Sequence, residues 1–220
     1  ACCGAPIAWR YPFVELLGGV AAALPVWRCG AGIEALAQLV FLCLMIVLFF
    51  TDLDLRLLPD AVTLPGTAIG LLLALVRPSP GILSAVIGAA AGFVLLLSLA
   101  AIWRRFRGIE AIGGGDIKML ALMGAFLGVS GLFIALLFAS VLGAAIGCGV
   151  ATLYALNRVG RVAARPAWSG IGRGTLAGAL FARGLRRKTL PFGCFLSIGS
   201  TVALFWGEPL SRWYAGLIGL

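Results

Sequence analysis

The sequence contains no histidine. That absence removes the usual base of Ser–His–Asp chemistry and both metal ligands of an HExxH zinc site. Charge is scarce as well: 11% of the 220 residues are Asp, Glu, Lys or Arg, against roughly 25% in an ordinary soluble domain. So few charges could not cover a soluble surface, whereas lipid needs no such cover. Acidic residues are the rarer sign, with 8 Asp and Glu against 17 Lys and Arg. The six cysteines (Cys2, Cys3, Cys29, Cys43, Cys148 and Cys194) are scattered and make no disulfide framework. Cys43 and Cys148 lie inside apolar runs, as small core residues do. No cleavable signal peptide is visible.

What is present is apolar. Residues of hydrophobic type make up 62% of the chain, and glycine accounts for 31 positions. Glycine at twice its usual frequency suits transmembrane helices, where it lets backbones approach closely. The apolar runs predict helices at Val14–Val26, Ile33–Phe50, Ala61–Val76, Ile82–Trp103, Ile117–Gly128, Leu132–Leu156 and Thr189–Trp206, with Trp213–Leu220 as a short eighth. The run Ile82–Trp103 carries no charge and is long enough to cross roughly 30 Å of hydrocarbon. Ile117–Gly128 is too short to span alone and reads as a half-buried or tilted helix beside a cavity. The expected fold is all-α: a polytopic transmembrane helix bundle of about 7–8 membrane segments. The pairs Gly88/Gly92 and Gly143/Gly147 predict close helix contact and say nothing of chemistry.

The net charge of +9 would suggest nucleic acid in a soluble protein. Here the basic residues lie between apolar runs, so the expected contact is with membrane lipid and not with nucleic acid. With Thr51–Asp60 placed in the cytoplasm and sides alternating, 14 of the 17 Lys and Arg fall on the cytoplasmic side. Only Arg28, Arg77 and Arg212 fall on the other. This is a strong positive-inside bias. The basic stretch 157–188 reads as a solvated cytoplasmic loop touching anionic lipid, and Trp206, Trp213 and Tyr214 as an aromatic belt on the far side.

Two acidic groups stand out. Asp52, Asp54 and Asp60 follow directly on the second apolar run, and Asp116 ends Gly113-Gly114-Gly115-Asp116 at the start of another. A lone Asp at a helix end can simply cap it or meet its dipole, and this bland reading applies to Asp54 and Glu110. It fits Asp116 less well. Three successive glycines allow another backbone to approach within contact distance, as an added peptide strand would. With histidine absent, a pair of aspartates is the remaining hydrolytic device. Two carboxylates about 4 Å apart repel by roughly 4 kcal/mol at an effective dielectric near 20, which separates their protonations by roughly 3 pH units. Such a pair holds one shared proton near neutral pH and titrates as a unit. Its ionised member can take a proton from water while the other donates to a carbonyl oxygen. On these residues alone a proteolytic site and an ion-handling site both stand open.

Four stretches carry a family likeness: Gly4–Leu17, Asp52-Leu-Asp-Leu-Arg-Leu-Leu-Pro-Asp60, Gly113-Gly-Gly-Asp-Ile-Lys-Met-Leu120 and Lys188-Thr-Leu-Pro-Phe-Gly193. In these the chain resembles the type IV prepilin peptidases, which are GxGD intramembrane aspartyl proteases. The resemblance runs over nearly the whole chain in the family's order. It implies that Asp52, the first Asp of the D-x6-P-D pattern, and Asp116, the Asp of GxGD, are the catalytic pair. It implies as substrates the type IV prepilins or type II secretion pseudopilins, whose short basic leader is cut off just after a glycine. It also implies a bacterial inner-membrane, multi-pass location with the active site facing the cytoplasm. Gly113, Gly114 and Gly115 are the expected peptide-holding residues, and Asp60 and Glu110 the carboxylates expected to read the leader's positive charge.

Many members of that family also N-methylate the new terminus with S-adenosylmethionine, and carry a cytoplasmic N-terminal domain with two CxxC pairs that resembles a zinc site. Here only the adjacent Cys2 and Cys3 stand near the start, so four thiolates cannot be assembled there. Residues 1–13 are expected to be the remnant of that cytoplasmic region, and 14–220 the transmembrane peptidase domain. No metal and no cofactor is expected for peptide cleavage. S-adenosylmethionine enters only if a methylase domain lies upstream. The rival expectation is a transporter or channel with Asp52 and Asp116 as a proton or cation relay. It calls for mid-membrane carboxylates and inverted repeats. No repeat is evident, and both aspartates sit at run edges.

Overall fold

The computed structural model describes residues 9–108, 113–163 and 191–218. Every regular element among them is a helix: α1 (Arg10–Cys29), α2 (Ile33–Leu55), α3 (Asp60–Val76), α4 (Ile82–Arg107), α5 (Gly114–Ala163) and α6 (Phe192–Ile218). Four are long and apolar enough to cross a membrane by length and composition: α1, α2, Ile82–Phe106 within α4 and Gly114–Leu156 within α5. Apolar side chains such as Leu72, Leu83, Leu137 and Leu153 stand exposed on the outside of the bundle, as suits a lipid solvent.

The expected count of about 7–8 segments is not confirmed among the described residues. Six helices are present among the described residues, and α5 is broken at Gly128 into two helical stretches. The run beginning at Trp213 is no separate segment; to Ile218 it continues α6, which carries Pro209 inside it. At the other end α1 already begins at Arg10, so part of the stretch assigned to an N-terminal remnant belongs to the first helix. Likewise α5 runs to Ala163, into the start of the stretch read as a basic loop; positions 164–190 lie outside the described residues.

The first stretch of α5, Gly114–Leu127, is the centre of the bundle. Its 14 residues rise about 21 Å at 1.5 Å each, too little to span alone. Met119, Leu120, Leu122, Met123 and Phe126 are all buried, which places protein on every side of this helix. It fits there because α4 offers it glycines. A Cβ on Gly88 would lie 2.7 Å from the Gly124 carbonyl oxygen, and one on Gly92 would lie 2.6 Å from that of Leu120. The Gly88/Gly92 pair is thus the close-contact face the sequence predicts, and Gly124 meets it across the interface.

Gly128 takes φ 69° and ψ −172°, a conformation that is open essentially to glycine alone. The backbone groups this break frees find side-chain partners. Arg77 donates from Nη1 to the Phe126 carbonyl (3.4 Å), and the Val129 N–H donates to Ser84 Oγ (3.3 Å). Backbone groups that leave the helical ladder among packed helices need such partners.

Candidate active site

Three helix ends meet a fourth at one end of the bundle: the C-terminus of α2 and the N-termini of α3, α5 and α6. Helix α2 stops because Arg56 turns left-handed (φ 52°), its N–H donating to the Asp52 carbonyl at 3.0 Å. Pro59 then stands extended at the start of α3, where its missing N–H is harmless, and it keeps Leu58 out of the helical region. Asp60 opens α3, where negative charge suits the helix dipole. The D-x6-P-D spacing is therefore one turn of helix, a left-handed stop and a proline start.

Asp52 lies in the last turn of α2 and is 5% exposed. Its Oδ2 accepts the Cys194 backbone N–H at 2.9 Å. Cys194 is in the first turn of α6, where backbone donors have no partner within the helix. The residue before it must be small: a Cβ on Gly193 would stand 2.8 Å from Asp52 Oδ2 and 3.0 Å from its Cγ. The Cys194 thiol donates back to the Phe49 carbonyl (3.4 Å), a second tie between α6 and α2.

Asp116 is in the first turn of α5, half-buried, its N–H donating to the Gly113 carbonyl at 3.1 Å. Gly113 and Gly114 are exposed, leaving their backbone open to approach. Gly115 is not open in this way. A Cβ there would meet Leu58 Cβ at 2.7 Å, and Leu58 Cδ1 also lies 3.3 Å from the position a Gly193 Cβ would take. Leu58 is thus wedged between the two glycines and packs the α5 and α6 N-termini around the α2–α3 connection. Within this cluster Asp116 lies in electrostatic range of Asp52. The two aspartates singled out in the sequence come together at one end of the bundle.

The other acidic residues here are engaged with cations. Asp54 is exposed and forms a two-pronged pair with Arg10 (2.8 and 2.5 Å), whose guanidinium lies 4.9 Å from the Phe50 ring centre. This ties the start of α1 to the end of α2. Asp60 accepts Lys118 Nζ at 2.6 Å. Glu110 lies outside the described residues. Gly193, Cys194 and Leu58 were not singled out by sequence reasoning. The available signal for Gly193 was its place in the Pro191-Phe192-Gly193 stretch.

A helix bundle with an apolar exterior and two aspartates gathered at one end belongs to the class of membrane-type proteins with an acidic site at a helix-terminal edge. More particularly, the chain belongs to the type IV leader peptidase family, whose model matches residues 39–148, a span that includes both Asp52 and Asp116. It is similar to the prepilin leader peptidase/N-methyltransferase of Aeromonas hydrophila, 36% identical over 212 residues that cover 96% of this chain and 63% of that protein. The protein of the same name from Xanthomonas campestris pv. campestris is 33% identical over 218 residues, 99% of this chain and 66% of the relative. A third, from Neisseria gonorrhoeae, is 39% identical over 143 residues, 65% of this chain and 50% of the relative. The chain thus spans just under two thirds of the length of the first two relatives. No solved structure matches the chain.

Proposed function

We propose that this chain is an intramembrane aspartyl endopeptidase that removes the short basic leader from type IV prepilins or type II secretion pseudopilins, cutting after a glycine at the cytoplasmic face of the bacterial inner membrane. The observation that carries this reading is the meeting of Asp52 and Asp116 at one end of the bundle, from two helix ends far apart in the sequence. Family membership supports it, as do relatives whose printed names include prepilin leader peptidase.

In this mechanism one carboxylate of the pair is ionised and takes a proton from water. The water oxygen attacks the glycine's own carbonyl carbon, while the protonated partner donates to that carbonyl's oxygen. The C–N bond then breaks and the departing amine takes the proton held by the pair. Gly113 and Gly114 offer exposed backbone against which an extended leader can lie, next to Asp116. Gly115 serves by letting Leu58 close against it. Asp60 and Glu110 attract the leader's basic residues, Asp60 by exchanging Lys118 for a substrate cation. Cleavage draws on no cofactor. The relatives' names also carry N-methyltransferase, and we assign no residue of this chain to S-adenosylmethionine.

The test is direct. Asp52→Asn and Asp116→Asn each abolish cleavage of a co-expressed prepilin while the purified protein keeps its helical circular dichroism. An amide can neither accept the water's proton nor share one. Full cleavage by either variant overturns the mechanism.

A further inference from the structure

At the end of the bundle away from Asp52 lies a second, polar feature. A cavity of about 800 Å³ is lined by the C-terminus of α1, the first two turns of α2, the α3–α4 connection, the break in α5 and α6 from Ala203 to Pro209. Four charged side chains line it, Arg28, Arg77, Glu34 and Glu208, two of each sign.

Buried Arg77 donates through Nε to Glu34 Oε2 (3.0 Å), its Nη2 lies 2.9 Å from the same oxygen, and Nη1 reaches the Phe126 carbonyl. Arg28 donates both terminal nitrogens to the Phe205 carbonyl (3.2 and 3.3 Å) and lies 5.1 Å from that ring's centre. A guanidinium has five N–H groups, so both arginines keep donors for a further acceptor. The acceptors beside them are short of donors. Glu34 Oε1 and Gln38 Oε1 are buried and have no hydrogen-bond partner among the described residues. They are four residues apart, hence on one face of α2. A buried acceptor left unpaired is destabilising by about 1–3 kcal/mol, more for a charged one.

The ligand that answers both the spare donors and the orphan acceptors carries a primary ammonium next to an anionic ester. The ammonium supplies the missing donors, and the anion meets the arginines. A lining of two positive and two negative side chains accepts such a zwitterion without a charge left over, whereas a lone anion or cation unbalances it. The cavity lies where helices end, the depth of lipid headgroups in a spanning bundle.

We propose that this cavity binds the phosphoethanolamine group of a membrane phospholipid, its ammonium donating to Glu34 Oε1 and Gln38 Oε1 and its phosphodiester accepting from Arg28 and Arg77. The proposal is independent of peptide cleavage.

The experiment is native mass spectrometry of the detergent-purified full chain, titrated in turn with short-chain phosphatidylethanolamine, phosphatidylcholine, phosphatidylglycerol and water-soluble glycerophosphoethanolamine. Phosphatidylcholine keeps the charge but has no N–H, and phosphatidylglycerol has no ammonium. Phosphatidylethanolamine is expected to bind at least about tenfold more tightly than either, the worth of one charge-assisted hydrogen bond. Gln38→Leu removes one acceptor without disturbing the Arg77–Glu34 pair, and it is expected to erase most of that preference. Glu34→Gln is expected to do the same, and Gln38→Leu decides the matter if Glu34→Gln does not fold. Equal retention of phosphatidylethanolamine and phosphatidylcholine overturns the proposal. So does an undiminished preference in Gln38→Leu, or retention of no lipid at all, which marks a cavity filled by water. Binding of glycerophosphoethanolamine as tight as that of the lipid overturns the membrane source.

Discussion

A single methyl group added at Gly193 would stand 2.8 Å from Asp52 Oδ2, well inside contact distance. Gly193→Ala must therefore push the carboxylate aside or lift the first turn of α6. A misplacement of about 1 Å at a reacting group can lower a rate about 100-fold. Gly193→Ala is expected to lower kcat on that order, with KM and the thermal midpoint close to the parent's. Steady-state kinetics with a synthetic leader peptide read this, and an unchanged kcat refutes it. Asp60, which is exposed, behaves more gently. Asp60→Asn combined with Glu110→Gln is expected to raise KM a few-fold and weaken its salt dependence while leaving kcat alone, because a solvent-exposed ion pair contributes about 0.2–1 kcal/mol. Identical salt series for variant and parent remove both residues from leader recognition. Asp52 and Asp116 could be singled out from sequence because an acid at the edge of an apolar run is conspicuous wherever the chain takes it. Gly193 and Leu58 lie inside stretches that carry the family likeness, but their individual roles could not be read there, since each is a contact with residues remote in the chain.

Among elements, α5 shows how far periodicity reaches. The run Ile117–Gly128 was legible as a short helix ending at Gly128, and the break falls there. What the run did not tell was that the second stretch begins at once, with Arg77 and Ser84 attending the freed backbone groups. Those partners come from a connection and a helix end more than forty residues away. Hydropathy likewise divided Trp213–Leu220 from the preceding run at the polar stretch around Glu208, although the helix passes through Pro209 unbroken to Ile218. The Gly88/Gly92 pair announced a close contact but not its partner, for glycine spacing marks a surface and leaves the opposing surface unnamed. Gly128→Ala is expected to destabilise the bundle by about 1–3 kcal/mol, since the added Cβ meets both forbidden backbone angles and Ser84 Oγ at 2.6 Å. Thermal unfolding in detergent measures it, and a midpoint equal to the parent's means the break can relax into regular helix.

For the molecule as a whole, mass spectrometry of a prepilin cut by this chain in the presence of S-adenosylmethionine reads peptide cleavage and methylation together. The arrangement of the helices also bears on the passage of charge. From Asp52 back to Ala37 the buried residues of α2 are Leu48, Met45, Leu42, Phe41 and Ala37, and the central stretch of α5 presents Met119, Leu120, Leu122, Met123 and Phe126. The buried hydroxyls nearby, Thr63, Ser197 and Ser200, donate to carbonyls three or four residues back in their own segments. No acidic or basic side chain lies between the aspartate end and the Arg77–Glu34 end along α2, α3 or α6. Along these described helices a proton beside Asp52 therefore has no titratable stepping stone toward Glu34. Vesicles carrying the protein are expected to hold an imposed pH gradient as long as empty ones, so that a bundle handling protons at one end still leaves the cell's proton-motive force uncompromised.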